Sequence, residues 1–102
     1  MSRKNIPDWL VCAAYVEAQK RHKATNNIVF ALDILMQWTG EPEKVCYVAM
    51  ERADDRGYID YGVSLRAGWV TDEGAELLEQ EAPPEFLSGL KDGIKQLSYN
   101  VF

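Results

Sequence analysis

The order of local signals between Thr39 and Leu78 constrains this chain more than any other feature. A turn at Thr39-Gly40-Glu41-Pro42 opens a helical stretch that starts at Pro42 and ends at Gly57. Within it Cys46, Ala49, Met50 and Ala53 recur at i, i+3, i+4 and i+7, the spacing of one inward helix face. Gly57 then permits a sharp exit into an extended run, Tyr58-Ile59-Asp60-Tyr61. A second run, Gly68-Trp69-Val70, follows after six residues, too many for a two-residue turn and better read as a hairpin with an exposed tip. Thr71 is a side-chain cap for a further helix, with Asp72 and Glu73 in the first turn, where negative charge complements the helix dipole. That helix is expected over Asp72 to Glu81, with Ala75, Leu77 and Leu78 inward.

On either side of this block the pattern is helical. A first helix is expected from about Pro7 or Asp8 to Lys23, with Trp9, Leu10, Cys12, Ala13, Ala14, Val16 and Ala18 giving a broad apolar face. Lys20, Arg21, His22 and Lys23 fill its last turn, where positive charge suits the C-terminal end of a helix. After a polar break a second helix is expected over about Asn27 to Trp38. Its apolar positions Ile28, Val29, Ala31, Leu32, Leu35, Met36 and Trp38 cover most of its surface, so it is expected to be the centre of the core. Beyond the break at Ala82-Pro83-Pro84, a last helix is expected over about Glu85 to Ser98. It carries a narrow stripe of Phe86, Leu90, Ile94 and Leu97, suited to packing on residues 1–82 or to pairing two copies as a homodimer.

The chain is long enough for one core and too short for two: it has 102 residues, of which 47% are hydrophobic. No apolar run approaches the roughly 20 residues that cross a bilayer, and the N-terminus lacks the apolar core of a signal peptide. A cytoplasmic protein is the expectation. Cys12 and Cys46 sit in apolar helical contexts and read as small core residues rather than a disulfide. No cysteine–histidine spacing suggests zinc, no glycine-rich loop suggests a phosphate, and no nucleophile motif is present. His22 is the only histidine and lies among bases, so a general-base role is not expected. The paired Asp54-Asp55 do not face one another on a helix. A non-enzymatic protein without metal or cofactor is expected.

At Arg56-Gly57-Tyr58-Ile59 and at Trp69-Val70-Thr71-Asp72-Glu73-Gly74 the chain resembles the winged helix-turn-helix superfamily, over roughly residues 27–81. It looks most like the small bacterial, phage or prophage-encoded members. The resemblance implies a mainly α domain over residues 1–82 with a small β-hairpin as the wing, plus an added C-terminal helix over 83–102. It also implies double-stranded DNA as partner, in a transcription-regulating role. By position, Glu43, Lys44, Tyr47, Val48 and Glu51 would face the bases and Arg66 would serve at the wing. Lys20, Arg21, Lys23, Thr25, Asn26 and Asn27 would lie near phosphates, with the N-terminus of the second helix pointing at one.

Charge argues the other way. The chain carries sixteen acids against eleven bases, and residues 71–85 hold six acids with no base. Phosphate neutralisation supplies much of the affinity for DNA, and the carboxylates of Glu43 and Glu51 repel phosphate. A protein partner bound by the acidic third helix, with Tyr47 and Val48 as its apolar spot, is the alternative reading.

Overall fold

The computed structural model describes residues 6–87. Its elements are α1 (Asp8–Thr25), α2 (Ala31–Thr39), α3 (Glu43–Asp55), β1 (Ile59–Asp60), β2 (Trp69–Val70) and α4 (Asp72–Glu81). The fold is mainly helical with one small antiparallel hairpin, as expected. Ile59 pairs with Val70 and Asp60 with Trp69. No helix among the described residues is long and apolar enough to cross a membrane.

The middle of the core is α1, not α2. Six consecutive residues from Val11 to Val16 are buried, and α2, α3, α4 and β2 all pack against this helix. A helix buried on every side has no single apolar stripe. Cys12, Ala13, Ala14 and Ala18 are small enough to let three helices approach at once. Both cysteines are free and buried. Burial, with the nearby Asp8 charge, pushes the Cys12 thiol from its ordinary value of 9.0 up to about 12.

α1 runs two residues past its expected end. It closes at Asn26, which adopts a left-handed conformation (φ 62°) and donates its N–H to His22 O at 2.6 Å. Asn tolerates that conformation better than most residues. The expected start of the second helix at Asn27 is therefore incorrect. Residues 26–30 are not helical, and α2 begins at Ala31 after an extended Phe30. β-branched Ile28 and Val29 and aromatic Phe30 favour extended backbone, which outweighs their apolar spacing. Ile28 is in consequence 75% exposed rather than buried.

The remaining boundaries follow local chemistry. Gly40 (φ 73°) ends α2, its N–H bonded to Met36 O. Thr71 caps α4 by accepting from Gly74 N at 3.1 Å, and its hydroxyl donates to Gly57 O at 2.6 Å, tying the start of α4 to the end of α3. The tip of the hairpin is more ordered than a free loop. Leu65–Ala67 form a 3-10 turn, Leu65 is buried, and the Tyr15 hydroxyl donates to its carbonyl oxygen.

After α4, residues 84–87 make a further helical turn. Phe86 fits edge-on between Trp9 and Trp38, with ring centroids 5.5 and 5.1 Å away. It packs within its own chain, one of the two uses expected of the C-terminal stripe. Leu90, Ile94 and Leu97 lie outside the described residues.

Candidate recognition face

The turn at residues 40–42 sets the direction of α3, and its inward positions Cys46, Ala49, Met50 and Ala53 fix which side faces out. That outward side carries Glu43, Lys44, Tyr47, Val48 and Glu51. Because the hairpin folds back beside α3, Arg66 joins them. All six together line one shallow hollow of about 570 Å³. Residues assigned to one face on the strength of a resemblance are thus brought into one place, although twenty-three positions separate Glu43 from Arg66.

The centre of this hollow is a three-residue contact. The Arg66 guanidinium reaches Glu43 Oε2 at 3.4 Å and lies 5.7 Å from the centroid of the Tyr47 ring. Ion pair and cation–π contact hold the same side chain from two directions. Tyr47 is half-buried beneath it, whereas Val48 is 52% exposed and open to a partner. Lys44 and Glu51 are exposed on the same helix face.

The second predicted group lies elsewhere. Lys20 and Arg21 both pair with Glu17, at 3.6 and 2.7 Å. Thr25 Oγ1 donates back to Arg21 O and accepts from Asn27 N, while Asn26 forms the helix cap. His22 Nδ1 donates to Asn27 O at 2.7 Å. These residues finish α1 and turn the chain. Because α2 starts at Ala31, Thr25, Asn26 and Asn27 are not at its N-terminus, and the expected contribution of that terminus to a phosphate contact is corrected accordingly.

Trp69 is 40% exposed and faces the segment 26–30. The alternation along β2 contained the signal: Val70 points inward, so its neighbour Trp69 must point out.

Two cationic side chains make contacts that are not legible from spacing. Arg56 reaches Asp8 Oδ2 at 2.6 Å, and Arg52 lies 3.6 Å from Asp8 Oδ1 while donating to Ile6 O. They pin the start of α1 to the end of α3. Among the described residues, five of the seven bases are thereby ion-paired, leaving Lys23 and Lys44. Fifteen acids occupy the same span. No group of three His, Cys, Asp or Glu side chains among the described residues can hold a metal ion. Comparison with family models, with curated proteins and with solved structures finds no match to this chain.

Proposed function

We propose that this chain is a non-enzymatic module of winged-helix type whose α3 face binds a protein partner. The partner surface would carry basic side chains for Glu43 and Glu51 and an apolar group for Val48 and Tyr47. The observation that carries this reading is the position of Arg66. It is the only base between Gly57 and Thr71, and its exposed side chain is paired with Glu43 beside the Tyr47 ring. A duplex partner draws affinity from the number of phosphates neutralised. On this face that number rests on Lys44 and an Arg66 already engaged. Exposed Val48 beside a half-buried aromatic ring suits the apolar centre of a protein interface better.

Duplex DNA is the second reading. It is favoured by the element order, helix–turn–helix then hairpin, and by the convergence of Lys44, Tyr47 and Arg66 on one face. The two readings separate in a titration of a labelled random-sequence duplex across salt concentrations. The protein reading expects no binding even at low salt. A photo-crosslinking residue at position 48 is then expected to trap a protein whose purified form loses about tenfold or more in affinity for Tyr47→Ala. Salt-sensitive duplex binding that drops for both Lys44→Ala and Arg66→Ala would assign the face to DNA instead.

A further inference from the structure

The described residues leave six large apolar side chains exposed, and four of them line a single hollow: Ile28, Phe30, Val63 and Trp69. It measures about 470 Å³ and lies between the segment 26–30, the hairpin and the last turns of α1. It shares no lining residue with the α3 face. The two hollows flank the hairpin tip, with Arg66 on one side and Val63 on the other. Scattered apolar residues need no explanation, but a contiguous patch rimmed by polar groups marks an interaction site.

Two further observations define what fits there. The α1 wall contributes Gln19, whose Oε1 is buried without a hydrogen-bond partner. A buried carbonyl left unpaired is costly, and a donor brought in by a ligand would relieve it once the amide turns into the hollow. At the rim stands His22, with Nδ1 committed to Asn27 O and Nε2 left to a ligand. Lys23 follows it, one helical turn beyond Gln19 and so on the same side of α1. The neighbouring Lys20 and Arg21 are paired with Glu17, so the positive charge on this side is carried by Lys23. An apolar floor beside a positive rim selects an apolar ligand with negative flanks.

The breadth of the hollow selects between ligand sizes. Val63 is fully exposed and Ile28 three-quarters so, whereas small-molecule sites enclose most of their ligand. We propose that the hollow takes a short segment of a partner protein, with aliphatic or aromatic side chains between Asp or Glu residues. Its apolar groups lie on Phe30 and Trp69, a backbone N–H answers Gln19, another N–H or hydroxyl donates to His22 Nε2, and its carboxylates meet Lys23. This proposal does not depend on the reading of the α3 face.

The test is selection of a random short-peptide library displayed on phage against the purified full chain, followed by affinity measurement on the enriched peptides. Enriched sequences are expected to hold apolar residues between Asp or Glu. Val63→Asp and Lys23→Glu are each expected to weaken them about tenfold or more, while Tyr47→Ala leaves them unchanged. Both altered positions are exposed, and a thermal melt verifies that the variants fold. Failure to enrich any peptide overturns the proposal, as does enrichment of basic-flanked peptides or of peptides that respond to Tyr47→Ala but not to Val63→Asp. A dimeric solution mass that Val63→Asp returns to monomer would also overturn it, by giving the hollow to a second copy of the chain.

Discussion

The hydroxyl of Tyr15, in the middle of α1, donates to the carbonyl oxygen of Leu65 at the hairpin tip, fifty residues away in sequence. Tyr15 is fully buried and Leu65 nearly so. One hydrogen bond therefore holds the tip against the central helix, and through the tip it sets where Arg66 and Val63 stand. Tyr15→Phe keeps the ring and leaves the Leu65 carbonyl without this donor. The expected loss is about 1–3 kcal/mol in unfolding free energy, measured by urea denaturation. Amide exchange at residues 64–68 should accelerate more than that of α2. Equal acceleration everywhere would show that the bond contributes only to global stability.

Three buried acids, Cys12, Cys46 and Tyr15, make the fold sensitive to alkali. Burial is the main cause for all three. It raises Cys12 from 9.0 to about 12, with a further contribution from the Asp8 charge, and it raises Tyr15 above its ordinary 10.0, with Asp54 as the next cause. Each group keeps its proton in the folded chain at a pH where the unfolded chain has released it. Stability from this source is full below pH 9.0 and falls as pH rises toward 12. Denaturation midpoints should be flat from neutrality to about pH 8.5 and then decline. In Cys12→Ala the decline should be shallower but start at the same pH, because Cys46 is also held above 9.0 by burial. A midpoint that rises with alkali would contradict the burial of these groups.

Gly74 tests how closely α4 approaches the hairpin. In an exposed helix Gly→Ala gains about 1 kcal/mol. Here an added Cβ would stand 2.0 Å from Tyr58 O and 2.7 Å from Val70 Cγ1. Crowding of this kind costs about 1–3 kcal/mol, so Gly74→Ala should lower the melting temperature despite its better helix propensity. A higher melting temperature would mean that α4 shifts away at little cost.

Arg66→Ala separates binding from folding. Its ion pair with Glu43 is exposed at both ends, and such pairs contribute about 0–1 kcal/mol. The melting temperature should barely move. Affinity for a protein captured at the α3 face should change, because Tyr47 and Glu43 are uncovered together. A large drop in stability would instead make Arg66 a structural strut of the hairpin.

Features with local determinants are legible in the sequence. The Thr71 cap, the Gly40 stop and the four-residue inward stripe of α3 depend on neighbours within a turn or two, and each stands where it was expected. So do the residues of the α3 face, because helix periodicity orients them and the returning hairpin delivers Arg66. Expectation failed where distant packing or backbone preference decided. Ile28 and Val29 carry helical spacing but lie in the non-helical segment 26–30. The stretch from Val11 to Val16 is covered all round only because three helices converge on it, which no window of α1 reveals. The partners of Tyr15 and Asp8 lie about fifty residues away and have no signature in spacing.

The central position of α1 also bears on how the chain opens. α2, α3, α4 and β2 rest on this one helix, so its amides come free only when several of those elements leave together. Hydrogen exchange in the stretch from Val11 to Ala18 should then report the global unfolding free energy, while the segment 26–30 exchanges through small local fluctuations. The chain would behave as a single cooperative unit around an early-sequence helix. A nascent chain would complete that helix first and wait for the last of its partners, α4, before its surface is fully covered.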